Sequence, residues 1–341
     1  MPPARILLFA DGGPQIGGGH VMRCLTLASA LAARGAVCAF VAPPSVAQVL
    51  ARFGGGDVQL VEVAEAGPDV MVQQARGAAA AFAPDWLVID HYRLERAHET
   101  ALRRPGRRLM VLDDLAARRR DADLLLDPGY GRTAADYAGL LPADATVLAG
   151  ADYALVRPEF AARRAEALTG LDGRAVRRVL VSLGLTDLDG ITERVVRALL
   201  PALGEVRLDV VLGAGAASLG PLTAVADPRV TLHVDARDMA ALMAGADLAI
   251  GAGGSSVWER ASLGLPGLTL ILADNQRALA ERMDADGLTV AVEAFGPALQ
   301  PRLAAAFERL ARDGAVRTGM GAKLAALCDG LGVERVASRL A

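Results

Sequence analysis

Lysine is nearly absent from this sequence: of 36 basic residues, Lys323 alone is lysine. A Gly-x4-Gly-Lys-Ser/Thr loop therefore cannot be written anywhere in the chain, which excludes a P-loop phosphotransferase. Schiff-base chemistry would have to rest on Lys323, which sits in an ordinary helical stretch. Cysteine is scarce too. Cys24, Cys38 and Cys328 are odd in number and widely spaced, which fits neither a disulfide framework nor a zinc site and suits a reducing cytoplasm. Cys24 and Cys38 read as core residues. No apolar run reaches about 18 residues, so no membrane span is expected. The opening MPPARILLFADGG lacks the basic and apolar regions of a signal peptide. An excess of positive charge is also missing. The formal net charge is −3, which argues against a nucleic-acid partner. Catalytic and cofactor signatures are missing as well: there is no His-Glu-x-x-His and no Gly-x-Ser-x-Gly. Gly213-Ala-Gly215 and Gly251-Ala-Gly253 have Ser218 and Ser256 where a dinucleotide fingerprint needs glycine.

What is present is a chain of 341 residues, 53% hydrophobic and 22% charged, enough for two domains with large cores. Short apolar runs alternate with longer Ala/Leu/Arg segments. Strands are expected at 6–10, 37–41, 58–63, 86–90, 109–112 and 124–126, with helices over 21–33, 45–53, 69–82 and 94–103. An irregular piece, 127–153, leads to a basic helix ending near Leu168, and Gly170–Gly173 reads as a linker. The alternation restarts with strands at 178–183, 207–212, 230–233, 248–250, 268–271 and 289–292. Helices are expected over 191–203, 216–225, 239–244, 256–263 and 276–286. From Pro297 to Leu340 the pattern is helical, broken near Gly314 and Gly330. This predicts an α/β protein of two doubly wound, Rossmann-like parallel-sheet domains, 1–168 and 174–341, with ligands in a cleft at the carboxyl ends of the strands.

Three stretches at those strand ends carry candidate chemistry. The first is Asp11 to Arg23, DGGPQIGGGHVMR, between a strand and a helix. Gly17, Gly18 and Gly19 let the backbone approach a ligand, and the first helical N–H groups lack internal partners. His20 is suited to act as a base, Arg23 supplies a cation, and Asp11 either orients His20, binds a sugar hydroxyl or caps the turn. The second is Asp90-His91-Tyr92, directly after an apolar strand. Asp113 and Asp114 end the next strand, and one of them is expected to cap a turn. The third is Gly251-Ala-Gly-Gly-Ser-Ser-Val-Trp-Glu259. Gly253, Gly254, Ser255 and Ser256 offer amides and hydroxyls to a diphosphate, and Glu259 offers a carboxylate to two ribose hydroxyls. Ala273-Asp274-Asn275-Gln276 follows the next strand.

The ordered set Gly-x-Gly-His-x-x-Arg, Asp90-His-Tyr92, Asp113-Asp-Leu-Ala116, Tyr153-Ala-Leu-Val-Arg-Pro-Glu-Phe160, Gly-Gly-Ser-Ser…Glu259, Leu263-Gly-Leu-Pro266 and Ala-Asp-Asn275-Gln276 resembles a known family. It is similar to the UDP-2,4-diacetamido-2,4,6-trideoxy-β-L-altropyranose hydrolases of pseudaminic acid biosynthesis, over roughly residues 5 to 295. The resemblance implies a GT-B-like fold, no cofactor and no metal. It implies a UDP-sugar substrate in a pathway that modifies flagellin or surface glycans, and contact with other enzymes of that pathway. UDP would lie on the second domain, with Glu259 on the ribose and Ser255 and Ser256 near the phosphates. Water, activated by His20, would attack the anomeric carbon with inversion. Asp90, His91, Tyr92 and Asn275 would serve the sugar side, with Asp11, Asp90 and Tyr92 joining His20 in catalysis; Gly18, Gly19, Gly253, Gly254 and Gln276 would help bind substrate, and Arg23 would stabilise the departing diphosphate. Two departures stand on the sugar side: Gly184-Leu-Thr-Asp-Leu188 replaces the family's Gly-Gly-Thr/Ser-Asp-Pro, and Gly129 replaces an Asn. The alternatives are a UDP-sugar-dependent GT-B glycosyltransferase and a non-catalytic nucleotide-sugar-binding protein.

Overall fold

The computed structural model describes residues 2–13, 16–54 and 58–341. Pro14 and Gln15 of the first glycine motif lie outside the described residues. The chain forms two compact units, one of residues 1–155 and 331–341, the other of residues 156–330.

The first unit runs β1 (Arg5–Ala10), α1 (Gly19–Ala33), β2 (Val37–Ala42), α2 (Pro44–Phe53), β3 (Gln59–Glu62), α3 (Pro68–Phe82), β4 (Trp86–Asp90), α4 (Arg96–Leu102), β5 (Arg108–Leu112), β6 (Leu124–Asp127) and β7 (Thr146–Ala149). Its seven-stranded parallel sheet has the order β3-β2-β1-β4-β5-β6-β7. The alternation of β1 divides the core in two. Ile6 and Leu8 pack with Val21, Cys24 and Leu27 of α1, while Leu7 and Phe9 pack with Met71, Val72 and Ala75 of α3. Such two-sided burial explains why the strands read as unbroken apolar runs.

The second unit runs α5 (Pro158–Thr169), β8 (Arg178–Ser182), α6 (Ile191–Leu199), β9 (Arg207–Leu212), α7 (Leu219–Val225), β10 (Val230–Val234), α8 (Met239–Ala244), β11 (Leu248–Ala252), α9 (Ser256–Ser262), β12 (Gly267–Ile271), α10 (Asp274–Ala285), β13 (Val290–Glu293), α11 (Leu299–Arg312) and α12 (Gly314–Leu327). Its six strands are ordered β10-β9-β8-β11-β12-β13, all parallel. The last helix, α13 (Gly332–Leu340), returns to the first unit, where Val333, Val336, Ala337 and Leu340 join the core beside α1.

The two doubly wound parallel sheets are those expected. Three details differ. β7 lies inside the stretch read as irregular. α4 starts at Arg96 rather than Leu94, because Glu95 and His98 cap its first turn reciprocally. The basic helix α5 and the glycines at 170–173 belong to the second unit, and the terminal helix to the first.

Candidate functional site

In each sheet the strand order reverses at one place, between β1 and β4 in the first and between β8 and β11 in the second. Such switch points open a crevice at the carboxyl ends of the strands. The first glycine motif and Asp90-His91-Tyr92 flank one of them. The Gly251–Glu259 turn adjoins the other.

In the first unit, four neighbouring strands, β1, β4, β5 and β6, end in or run directly into aspartates: Asp11, Asp90, Asp113–Asp114 and Asp127. The parallel register pairs Ala10 with Asp90, and the Asp11 N–H donates to the Asp90 carbonyl at 2.8 Å. This places Asp90 under the first turn of α1. His20 Nδ1 lies 2.6 Å from Asp90 Oδ1. Arg23, one turn further along α1, donates through Nε to Oδ2 at 2.5 Å and through Nη2 to Oδ1 at 2.6 Å. The Cys24 thiol donates to the same carboxylate at 3.7 Å. Burial works against the charge on Asp90, but Arg23 and then His20 outweigh it and hold the carboxyl well below the usual carboxylate range. An ionised carboxylate only accepts hydrogen bonds, so Nδ1 carries a proton toward Asp90, and Nε2 is the ring nitrogen left for proton exchange. Tyr92 sets its ring edge against His20, with centroids 4.6 Å apart and planes at 82°. Its hydroxyl donates to Asp114 at 2.9 Å, and Asp114 also pairs with Arg23 Nη1 at 3.2 Å.

Two expectations change here. Asp11 does not orient His20; Asp90 does, although it is 70 residues away. Arg23 is not a free cation for a departing phosphate, because its guanidinium is engaged by Asp90 and Asp114. Its effect is to keep Asp90 ionised.

Asp11 belongs to a second cluster. Its Oδ1 accepts from the Gly12 N–H at 3.1 Å and from Arg93 at 3.3 Å. Its Oδ2 is buried without a hydrogen-bond partner among the described residues and lies 3.4 Å from His91 Nδ1. Burial raises the Asp11 pKa against the pull of Arg93 and His20. Burial, then Arg93, pushes His91 down to about 3, so its ring is neutral. A buried carboxyl with an unmatched oxygen is suited to bind a hydroxyl. The turn around it is closed by Gly17, whose φ of +80° suits glycine and whose N–H donates to the Gly13 carbonyl at 2.7 Å. Gly18 and Gly19 open α1, and no side chain caps it. Beneath, buried Arg120 joins Glu99 and Asp113, and Tyr137 donates to Asp127 at 2.9 Å. Asp113 caps its turn by accepting from the Ala116 N–H at 2.9 Å.

In the second unit, Glu259 Oε1 accepts from Arg157 Nε at 2.9 Å. Arg157 also reaches Glu159 at 3.3 Å and stacks over Phe160 at 4.9 Å. The Tyr153–Phe160 motif thus supplies the partner of Glu259, a pairing across 102 residues that spacing could not reveal. The Gly253 N–H is not available to a phosphate, because it donates to Gln276 Oε1 at 3.2 Å. Gln276 also takes the Leu272 N–H at 3.2 Å, so Gly253 and Gln276 brace the turns after β11 and β12. The N–H groups of Gly254, Ser255 and Ser256 have no acceptor among the described residues. Asn275 is exposed at the start of α10. Arg260, absent from the sequence reading, is buried beneath the turn. The signal for it was periodicity: with Val257 and Ala261 it falls on the buried face of α9.

No protein-family model matches this chain, and neither does any curated protein sequence. Solved structures do. Acinetobacter baumannii MurG superposes over 99% of both chains with a TM-score of 0.67 at 18% identity. The spinosyn rhamnosyltransferase SpnG complexed with thymidine diphosphate matches 98% of this chain and 100% of its own, with a TM-score of 0.66 at 16% identity. The calicheamicin glycosyltransferase CalG4 matches 100% and 98%, with a TM-score of 0.65 at 19% identity. The fold is GT-B. At these identities the likeness is one of fold. Among the described residues no helix is long and apolar enough to cross a membrane, and no group of three or more potential metal ligands occurs.

Proposed function

We propose that this chain is an enzyme that cleaves the anomeric C–O bond of a nucleotide sugar. The carrying observation is the buried Asp90–His20 pair, which fixes one imidazole tautomer beside a glycine-rich turn at a GT-B switch point. In this reading His20 Nε2 takes the proton of the incoming hydroxyl as its oxygen bonds to the anomeric carbon. The C–O bond to the diphosphate breaks, and its electron pair leaves with the nucleotide. Asp11 and Tyr92 serve the sugar. The nucleotide lies on the second unit, with its phosphates at Gly254–Ser256 and its ribose at Glu259.

The incoming hydroxyl has two candidate sources. The rhamnosyltransferase and glycosyltransferase among the similar structures favour an acceptor alcohol, making the enzyme a glycosyltransferase. The ordered motif set favours water, and with it a diacetamido-trideoxy UDP-sugar as substrate. Incubation with UDP-sugar alone separates them. Free sugar formed in equal amount to UDP identifies hydrolysis, with inversion read at the anomeric carbon by NMR. UDP release that waits for an added acceptor identifies transfer. In either case H20A is expected to abolish UDP release while UDP binding survives, and normal turnover in H20A refutes the role given to His20.

A further inference from the structure

Arg260 is 6% exposed and pairs with no carboxylate among the described residues. Its guanidinium meets only neutral oxygens, all at long distance: the Ala252 carbonyl at 3.2 Å, Thr269 Oγ1 at 3.3 Å and Ser256 Oγ at 3.4 Å. Other buried arginines are better compensated. Arg120 faces Glu99 and Asp113. Arg317 binds four carbonyls, including those of Leu310 and Ala311 in the last turn of α11, where a cation is favoured. Burial pushes Arg260 down to about 10, opposed only by Glu259, which is itself engaged by Arg157. The chain has made room for this charge. A Cβ on Gly251 would overlap the Arg260 guanidinium, so any other residue at the end of β11 would displace the charge from this position. Burying an uncompensated cation is costly, and a structure retains one where something of opposite charge balances it.

We propose that Arg260 is a positioning residue for the nucleotide's diphosphate: a fixed positive charge beneath the Ala252–Ser256 turn, balanced by the phosphates bound above it. This rests on reading that turn as the diphosphate site. Arg260 does not touch the ligand. It acts through its field and by holding the Ala252 carbonyl and the Ser256 hydroxyl. In a buried setting such a charge is only weakly screened, and its pull scales with the charge of the ligand.

Calorimetry with UDP, UMP and uridine on the full chain tests this. In R260Q, UDP binding is expected to weaken tenfold or more, equivalent to about 1.4 kcal/mol per factor of ten, UMP binding by less, and uridine binding hardly at all. R260K, which keeps the charge without the planar fork, should preserve most of the gap between UDP and uridine. Equal weakening of all three ligands in R260Q makes the residue merely structural and overturns the proposal. If R260Q does not fold, R260K decides: a UDP–uridine gap that collapses there overturns the proposal, and a gap that persists supports it. A wild-type chain that binds UDP no more tightly than uridine removes the diphosphate reading itself.

Discussion

Replacing Asp90 by Asn separates the chemistry of the first unit from its packing. The carboxylate receives Arg23 twice, His20 once and Cys24 once, in a site where Asp90 is 1% exposed. Asn has one acceptor oxygen and two N–H donors, so at least one N–H must face a donor. Removing one partner of a buried pair costs about 3–5 kcal/mol. Asp114 keeps its single contact with Arg23, which places the expected loss at the lower end of that range. Domain stabilities are about 5–15 kcal/mol, so D90N should remain folded but with a lower denaturation midpoint. The stability that Asp90 supplies is also acid-sensitive. Its folded pKa is depressed, so the contribution is complete above the ordinary carboxylate pKa of about 4 and is lost as pH falls below it. D90N should abolish that part of the acid dependence. For activity, an amide N–H facing Nδ1 moves the ring proton to Nε2, where it blocks proton acceptance. Turnover per folded molecule should fall by about 10²–10⁴. Steady-state kinetics corrected for the folded fraction, beside urea titrations at pH 7 and about pH 3, below the unfolded carboxylate pKa, give both numbers. Wild-type turnover per folded D90N molecule would refute the assignment of His20 and Asp90 as a working pair.

Two further perturbations probe other parts of the fold. R157A should release Glu259 and weaken UDP binding by roughly tenfold, the value of one hydrogen bond to a charged group. It should also shrink the preference for UDP over 2′-deoxy-UDP, and an unchanged preference measured by calorimetry counts against Glu259 as the ribose ligand. Burial is the main force raising the Asp127 pKa to about 6, against the Gly129 N–H, Tyr137 and Arg132. The folded state therefore holds this proton more tightly than the unfolded chain. Stability from this group is greatest below pH 4 and declines as pH rises to about 6, by up to about 3 kcal/mol. D127N should flatten that segment of the stability–pH curve, and an identical curve for D127N shows that Asp127 does not titrate there.

Local pattern reveals the strands, the helices and the glycine turns because these depend on neighbours a few residues apart. Both sheets and the closing helical stretch follow from periodicity, and α13 needed only its destination. The misreadings share one cause. Asp11 is close to His20 in sequence, but the parallel register of β1 with β4 brings Asp90 beneath the imidazole, and register between distant strands leaves no mark on either strand alone. Arg23 looked like a free cation because its partners, Asp90 and Asp114, are 67 and 91 residues away. Gly253 looked like a phosphate donor because Gln276, which takes its N–H, sits 23 residues on. β7 was hidden by its length of four residues among glycines and prolines. Arg260 was legible in principle, as the one charged residue on an apolar stripe.

The return of α13 has a consequence for synthesis. Residues 1–155 of the first unit are made before any of the second unit, yet part of the first unit's hydrophobic core is carried by Val333, Val336, Ala337 and Leu340. Until those residues emerge, the face of α1 that they cover has no partner, and all of residues 156–330 must be made in the meantime. The second unit can thus finish folding while the first still waits, reversing the usual order in which domains mature along a nascent chain. The unit carrying His20 closes after the second, so a product ending before Leu331 would contain His20, Asp90 and Glu259 and still lack a completed core around the first two.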